Sequence, residues 1–160
     1  MFNVELYKGT REENYKLATS QLKALLHDEK NLIANLSNAS ALFNQFLDRI
    51  NWAGFYLMDG ESELVLGPFQ GLPACVRIPL GKGVCGKSAQ ERVTVRVQDV
   101  HQFPGHIACD AASQSEIVIP LIKDGKLLGV LDIDSPEKNR FDEVDQERLE
   151  EMVNVIVDAL

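Results

Sequence analysis

The sequence predicts an α+β domain in which a central, mainly antiparallel sheet of five or six strands is covered by helices from both ends of the chain. Apolar residues recur at helical spacing near the N-terminus and again at the C-terminus, whereas the middle of the chain contains short runs rich in branched and aromatic residues. Two connections between these runs, Asp59-Gly60 and Asp124-Gly125, carry the Asp-Gly pair that is typical of tight hairpins. Because hairpins join antiparallel strands, we expect an antiparallel sheet.

Amphipathic helices account for the two ends of the chain. The segments from Tyr15 to Leu26 and from Asn31 to Leu47 place apolar side chains three or four positions apart, as one face of a helix requires. A further helix runs to Leu160 after Asp142, whose carboxylate can accept hydrogen bonds from the first turn. Its apolar side consists of Leu149, Met152, Val153, Ile156 and Leu160.

The strands form two hairpins with shorter elements between them. Trp52 to Phe69 forms the first hairpin, and Val76 to Leu80 is a further strand before the glycine-rich loop Gly81 to Gly86. A short helical stretch and a brief strand come next, over Lys87 to Glu91 and Thr94 to Val97.

A long loop precedes the second hairpin. Residues His101 to Gln114 show no periodicity, and long loops inside compact domains are often functional. The second hairpin pairs Glu116 to Lys123 with Lys126 to Asp134.

Composition narrows the class of protein. A chain of 160 residues that is 45% hydrophobic is long enough for one core and short for two, so we expect a single domain over residues 1–160. The net charge of -8 argues against nucleic acid as a partner, because phosphate binding needs clustered Lys and Arg. No apolar stretch approaches the roughly 20 residues of a membrane span, and the start MFNVELYKGTREE lacks a signal-peptide pattern. Three cysteines, an odd number, favour a reducing, cytoplasmic compartment over a secreted disulfide framework.

A cluster of acids is predicted on the second hairpin, where a packed core would carry apolar side chains. Side chains alternate between the two faces of a strand, so Asp132 and Asp134 project from one face and Ile133 from the other. Glu116 lies on the neighbouring strand and would complete a group of three carboxylates. Solvated strand ends are the alternative, since Asp and Glu are mostly exposed. Cys109, seven positions before Glu116, favours a reactive pocket instead.

The segment GKGVCGKS, Gly81 to Ser88, satisfies the phosphate-binding pattern GxxxxGK(S/T). In that interpretation Lys87 and Ser88 would contact phosphate and Mg²⁺. The following helix is only about two turns long, and the sheet consists of hairpins rather than parallel βαβ units. We therefore favour a structural glycine turn.

The cysteines also allow a metal site, but with weak support. Structural zinc takes ligands from close pairs such as CxxC, whereas these thiols are ten and twenty-four positions apart. We therefore expect neither a metal nor a cofactor. The ligands of such a site would be Cys75, Cys85 and Cys109 with His101 or His106.

Thiol redox chemistry makes use of the same cysteines. We expect Cys85 in a glycine-rich turn and Cys109 in an irregular loop to lie on accessible elements, where one thiol can attack and another resolve. Cys75 alone has a purely structural alternative, because free cysteine often behaves as a small buried hydrophobe.

The segment GHIACDAASQSEIVIPL, followed by GVLDIDSP, resembles the signature of the free methionine-(R)-sulfoxide reductases, a family with a GAF-type fold. The GKGVCGKS segment matches the glycine turn of that family with its own cysteine, and the spacing of the three cysteines is similar. The resemblance extends from near Trp52 to the C-terminus. It implies a GAF-like domain that reduces free L-methionine (R)-sulfoxide to L-methionine.

The resemblance also implies roles for individual residues. Cys109 would be the nucleophile, Cys85 the leading resolving thiol and Cys75 an alternative resolver. The three acids would hold the ammonium group of the substrate and activate its sulfoxide, while two aromatic residues surround its methyl group. The implied substrate-binding residues are Trp52, Tyr56, Glu116, Asp132 and Asp134.

Attack by Cys109 would release methionine and leave a sulfenic acid, which a neighbouring thiol condenses into a disulfide. An external dithiol such as thioredoxin would restore both thiols. The nearby acids should raise the pKa of Cys109 and so hinder its ionisation. We therefore hypothesise that the ammonium of the substrate offsets their charge, and that Glu116 or Asp134 stays protonated to donate to the sulfoxide oxygen.

Besides the identity of the resolving thiol and of the proton donor, the class of protein and its oligomeric state stay open at the level of sequence. A GAF-type sensory module, which binds a small ligand or responds to redox state without catalysis, is the chief alternative to an enzyme. Ligand binding alone, however, requires no second thiol. The amphipathic terminal helices either pair two copies into a homodimer or cover the sheet within one chain.

Overall fold

The computed structural model describes residues 7–160, which contain four α-helices, six β-strands and one short 3₁₀ helix. Residues 1–6 lie outside this range. They belong to the predicted domain and to the segment MFNVELYKGTREE, which lacks a signal-peptide pattern. Within residues 7–160, none of the helices combines the length and apolar character that a membrane crossing requires. The elements in chain order are α1 (Arg11–Leu26), α2 (Leu32–Phe46), β1 (Trp52–Asp59), β2 (Glu63–Gly71), β3 (Arg77–Pro79), α3 (Gly83–Glu91), β4 (Val95–Val97), the 3₁₀ helix (Val100–Gln102), β5 (Ser115–Lys123), β6 (Lys126–Ser135) and α4 (Glu143–Ala159).

The strands form one sheet in the order β3-β2-β1-β6-β5-β4, and every neighbouring pair is antiparallel. The two predicted hairpins are β1-β2 and β5-β6, and they meet at the centre of the sheet, where β1 pairs with β6. The turn between β5 and β6 has positive φ values of +51° at Asp124 and +77° at Gly125, as a type I′ hairpin turn requires. The predicted α+β class is confirmed, with six strands.

Side chains of the sheet enter two separate cores, because neighbours along a strand point to opposite faces. On one face, Phe55 and Ile133 join residues of α1, α2 and α4 in the larger core. On the other face, Tyr56 and Val130 pack with residues of α3. The terminal helices therefore cover one face of the sheet, as predicted, and leave the other to α3 and the long loops.

The glycine-rich segment Gly81 to Gly86 differs from its prediction as a loop. Gly81 and Gly83 take positive φ values of +81° and +62°, and α3 begins at Gly83. The helix then packs so closely on β3 that a Cβ atom at Gly86 would lie 2.6 Å from the carbonyl oxygen of Pro79. Part of the glycine content thus serves helix packing, and Cys85 lies in a buried helix, not on the accessible turn that we predicted.

A buried polar network joins the start of α4 to α1. The Tyr15 hydroxyl donates to Asp145 Oδ1 at 2.7 Å, and Arg140 Nη1 donates to Asp145 Oδ2 at 3.3 Å. The Asp145 carboxylate also accepts from the backbone of Asp142, which caps α4 in return, as predicted. Asp145 and Arg140 are 1% and 7% exposed, so each compensates the buried charge of the other.

Replacement of Asp145 with alanine is expected to lower the free energy of unfolding by about 3 kcal/mol, because the buried Arg140 keeps only the exposed Asp48 as an ion-pair partner and the Tyr15 hydroxyl loses its acceptor. Asp142→Ala is the matched control on the same helix end. That residue is exposed, and loss of its cap is expected to cost about 1 kcal/mol. Urea unfolding of both variants measures the difference, and equal losses would contradict the importance of the buried pair.

Candidate active site

A pocket lies on the α3 face of the sheet, where β1, β5 and β6 carry polar side chains. Most of the remaining lining comes from α3 and from two loops, residues 72–76 and 103–114, and Ile78 of β3 and Lys82 complete it. The cavity has a volume of about 40 Å³. It is lined by Trp52, Tyr56, Leu72, Pro73, Ala74, Ile78, Lys82, Gly83, Val84, Cys85, His106, Ile107, Cys109, Asp110, Ser113, Glu116, Asp132 and Asp134.

Glu116, Asp132 and Asp134 meet in this pocket. Glu116 of β5 lies directly opposite Asp134 of β6, and Asp132 lies two residues earlier on the same face of β6. Glu116 and Asp132 are each 6% exposed, and Asp134 lines the same cavity. The structure therefore brings the three acids together, and solvated strand ends are excluded for Glu116 and Asp132.

Burial and mutual repulsion keep protons on this cluster. Burial raises the pKa of Glu116 well above its ordinary value, and the charges of Asp132 and Asp134 raise it further. Burial and the charge of Asp132 likewise raise the pKa of Asp134. Burial also raises the pKa of Asp132, but hydrogen bonds with Glu116, Cys85 and Asp134 favour its charged form. Asp132 is therefore the member best suited to carry negative charge.

Cys75 and Cys109 are joined by a disulfide beside the pocket. Their Cα atoms are 5.7 Å apart although 34 residues separate them in sequence, so the bond ties the 72–76 loop to the 103–114 loop. Cys109 itself lines the cavity. The resemblance placed Cys85 ahead of Cys75 as the partner of Cys109, whereas the structure pairs Cys109 with Cys75.

Cys85 is a free thiol on α3 that is only 4% exposed. Burial raises the pKa of Cys85 well above its ordinary value, and the charges of Asp132, Glu116 and Asp134 raise it further. A thiol that is both inaccessible and hard to ionise is poorly suited to attack a sulfenic acid. This environment arises because a helix occupies the place of the predicted loop.

Trp52 and Tyr56 lie on the pocket face of β1 and stack, with ring centroids 5.9 Å apart. Both also hold the loop that carries Cys75. Trp52 Nε1 donates to the carbonyl oxygen of Leu72 at 3.1 Å, and the Tyr56 hydroxyl donates to that of Cys75 at 2.9 Å. Burial, with the nearby acids, raises the pKa of Tyr56 and so keeps this hydroxyl a donor. The sequence pattern did not indicate this positioning role.

Several residues around the site were not assigned to the thiol site from the sequence, and His106 was considered only as a metal ligand. His106 Nε2 lies 3.8 Å from Glu116 Oε1, and burial lowers the pKa of His106, so its ring is neutral near pH 7. Asn51 Nδ2 donates to Asp110 at 2.9 Å and to Ser113 at 3.1 Å, which fastens the loop after Cys109 to the sheet. His106, Asp110 and Ser113 could have been suspected from the sequence, because they lie close to Cys109 along the chain. Nothing in the sequence pointed to Asn51.

The zinc set considered from the sequence is not assembled, because Cys75 and Cys109 are bonded to each other. A different group has suitable geometry for a cation. The ligand atoms of Cys85, Glu116 and Asp132 lie within 4.8 Å of one another. That the site works without a metal stays a prediction.

The phosphate-binding interpretation of Gly81 to Ser88 is excluded by burial. Ser88 is fully buried, and its hydroxyl donates to the carbonyl oxygen of Val93 at 2.7 Å, so it cannot contact Mg²⁺. Lys87 Nζ lies over the ring of Phe103, 5.6 Å from the centroid, rather than beside a glycine cradle.

Comparison with known proteins relates these features to a family. The GAF domain family model matches residues 38–160. The chain is 56% identical to protein YtsP of Bacillus subtilis over 161 residues, which covers 100% of this chain and 99% of that protein. It is 50% identical to the free methionine-R-sulfoxide reductase of Escherichia coli over 143 residues, with 89% and 86% covered. The structure of fRMsr of Staphylococcus aureus in complex with substrate is 55% identical, with a TM-score of 0.89 over 98% of this chain and 99% of that one.

A six-stranded antiparallel sheet with helices on both faces, and with cysteines and acids in a pocket on one face, defines a GAF domain equipped for thiol chemistry. The chain belongs to the GAF domain family and, within it, to the free methionine-R-sulfoxide reductases. The fold and the family that the resemblance implied are thereby confirmed.

The raised pKa values of Glu116, Asp132 and Asp134 predict that the contribution of these acids to stability falls as the pH rises. A carboxyl group whose pKa is higher in the folded chain binds more protons when folded, so the free energy of unfolding decreases between the unfolded and the folded pKa. For Glu116 the decrease begins near its ordinary value of 4.5. Glu116→Gln cannot ionise, so its stability relative to oxidised wild type should increase as the pH rises above about 4.5. A constant difference in unfolding free energy would contradict the raised pKa.

The three cysteines are expected to react with iodoacetamide in a defined order after reduction. Cys75 and Cys109 lie partly exposed on loops and should be labelled early, whereas Cys85 is buried with a raised pKa and should be labelled late. Peptide mass spectrometry at successive times measures the order. Early labelling of Cys85 in the folded protein would show that α3 does not bury it.

Proposed function

We propose that this protein reduces the free (R)-sulfoxide of L-methionine to L-methionine, with Cys109 as the nucleophile and Cys75 as the resolving thiol. The observation that carries the proposal is the Cys75–Cys109 disulfide beside a pocket that contains three acids. The relatives from Escherichia coli and Staphylococcus aureus are named for this activity, and they are 50% and 55% identical to this chain over the aligned residues.

The proposed reaction has three balanced steps. Cys109 attacks the sulfoxide sulfur, and the oxygen passes to Cys109 Sγ as the sulfur–oxygen bond and the transient bond between the two sulfur atoms break. The products are methionine and a sulfenic acid on Cys109. The Cys75 thiol then attacks the sulfenic sulfur, which forms the disulfide and releases the oxygen as water. Finally, an external dithiol reduces the disulfide and is itself oxidised.

The acids divide the work according to their protonation. Asp132, whose charged form is favoured by hydrogen bonds, holds the ammonium group of the substrate. Glu116 and Asp134 have pKa values raised well above the ordinary range, so one of them retains a proton to give to the sulfoxide oxygen. The bound ammonium offsets the negative charge of the cluster and thereby favours the thiolate of Cys109.

Selectivity for the free amino acid follows from the positive charge of its ammonium group, which the acid cluster recognises. Within a polypeptide, the methionine nitrogen is a neutral amide that cannot compensate buried carboxylates. Protein-bound methionine sulfoxide therefore lacks the group that the acid cluster recognises.

Substrate enters after the disulfide has been reduced. The cavity of about 40 Å³ in the disulfide form is far below the roughly 300 Å³ at which small-molecule pockets begin. Reduction of the Cys75–Cys109 bond frees the two loops that it ties together. Trp52 and Tyr56 then provide the apolar wall for the methyl group of the substrate.

A sensory module without catalysis is the alternative that the sequence left open. Such a module needs a pocket and a means of passing on a signal, but it does not need two cysteines that pair beside the pocket. The reductase explains both the Cys75–Cys109 pair and the buried acids, and we favour it for that reason.

The proposal extends to the reductant and the compartment. A dithiol protein of the thioredoxin type is the proposed reductant, since an intramolecular disulfide needs two electrons from thiols. The cytoplasm is the proposed compartment, because its reducing thiol pool would return the cysteines to their active state. Pairing of two copies into a homodimer stays a prediction.

Turnover of the separate (R) and (S) epimers of free methionine sulfoxide with dithiothreitol tests the proposal. Wild type is expected to convert the (R) epimer, and Cys109→Ser to lose roughly 10⁴-fold or more in kcat, as loss of a nucleophile commonly causes. Of the two variants Glu116→Gln and Asp134→Asn, the one that removes the proton donor is expected to lose about 100-fold, because it cannot protonate the sulfoxide oxygen. Failure of wild type to convert either epimer would refute the enzyme assignment.

Two cysteine variants separate the resolving thiol from the buried one. With thioredoxin as reductant, Cys75→Ser is expected to stop after about one turnover, since its sulfenic acid cannot condense into a disulfide. Cys85→Ser should continue through many turnovers and serves as the matched control. The amount of methionine released per chain by each variant, measured by chromatography, identifies the resolving thiol. Many turnovers in Cys75→Ser and about one in Cys85→Ser would make Cys85 the resolving thiol.

A further inference from the structure

The Cys75–Cys109 disulfide lies among exposed apolar side chains. Leu72 and Val76 flank Cys75 with exposed fractions of 63% and 59%, and Ile107 lies two residues before Cys109 with 36%. Within residues 7–160, seven large hydrophobic side chains are exposed, and these three are close in sequence to the two bonded cysteines. Grouped apolar exposure of this kind marks a binding surface more often than isolated exposed residues do.

The segments that carry the disulfide are also free of charge. Residues 72–76 (LPACV) and 104–109 (PGHIAC) contain no Asp, Glu, Lys or Arg, although 25% of the chain is charged. Burial lowers the pKa of His106, so this residue adds no charge near pH 7. The centres of protein interfaces are depleted in charged residues in the same way.

The two sulfur atoms of the disulfide differ in their surroundings. Cys109 lines the pocket that contains the acids, whereas Cys75 does not. A thiolate that approached Cys109 would be repelled by negative charge on Asp132 and its neighbours. Attack at Cys75 keeps the incoming thiolate away from this charge and releases Cys109, which takes up a proton as it leaves, at the position where the next substrate binds.

We propose that Leu72, Val76 and Ile107 form a docking surface for a dithiol protein of the thioredoxin type, which attacks the sulfur of Cys75. The inference rests on the proposed function, because a disulfide that forms in each catalytic cycle must also be reduced in each cycle. Because the site is a disulfide, the partner must carry a reactive thiol. Because the surface around the disulfide is apolar and uncharged, the partner should have an apolar contact region beside that thiol.

The exchange is balanced without any further reactant. The partner thiolate bonds to Cys75 Sγ, the sulfur–sulfur bond breaks, and Cys109 leaves as a thiolate that takes up a proton. The second thiol of the partner then attacks the partner sulfur of the mixed disulfide. Cys75 leaves as a thiol, and the partner, having given two electrons, carries a disulfide.

Val76→Asp tests the docking surface without changing the cavity, because Val76 does not line it. We expect kcat/KM for thioredoxin to fall by about tenfold or more, since the new charge must be desolvated when the partner docks. Turnover with dithiothreitol should be unchanged. Val93→Asp changes another exposed valine, 48% exposed and away from the disulfide segments, and should alter neither reaction. Val76→Leu should retain turnover with thioredoxin.

The outcomes separate this inference from the function on which it rests. Unchanged thioredoxin kinetics in Val76→Asp would overturn the docking surface, whereas absence of wild-type turnover with dithiothreitol would overturn the reductase itself. Val76→Ser repeats the comparison with a milder change in case aspartate disturbs β3, and a loss confined to thioredoxin is again expected. A thioredoxin lacking its second active-site cysteine should be trapped on Cys75, and a mixed disulfide with Cys109 would overturn the assignment of the attacked sulfur.

Discussion

The register between β5 and β6 positions the chemistry of this domain. It places Glu116 opposite Asp134, and the alternation of side chains sends these acids towards α3 while Ile133 enters the core beneath the terminal helices. A shift of this register by one residue would move the acids of the shifted strand to the apolar core and point its apolar side chains towards the pocket. The neighbouring pair, β1 and β6, is fixed as closely, since a Cβ atom at Gly129 would lie 2.2 Å from the carbonyl oxygen of Tyr56.

Burial of three acids in one pocket lowers the stability of the fold, but the same arrangement serves the proposed reaction. Without a bound cation, burial raises the pKa values of Glu116, Asp132 and Asp134, and repulsion raises those of Glu116 and Asp134 further, so the cluster holds protons that free carboxyl groups would release. A substrate ammonium relieves this repulsion, supplies charge for a thiolate and leaves a proton available for the sulfoxide oxygen. The site is thus destabilising when empty and complementary when filled, a common relation between stability and activity.

Local patterns predicted most of the fold, and they failed where tertiary packing decides. Periodicity and Asp-Gly turns located the helices, both hairpins and the shared face of Asp132 and Asp134. They did not reveal that Gly86 serves close packing of α3, which buries Cys85. Nor did they pair Cys75 with Cys109. These residues are 34 positions apart in the sequence, and their contact depends on how two irregular loops are placed relative to each other.

Disulfide mapping after a single turnover tests the central claim most directly. The fully reduced protein is mixed with one equivalent of free methionine (R)-sulfoxide and no reductant, then quenched with an alkylating reagent and digested. The account predicts one methionine per chain, a Cys75–Cys109 disulfide and an unoxidised Cys85. Methionine release accompanied by a disulfide to Cys85, or Cys75–Cys109 formation without methionine release, would contradict it.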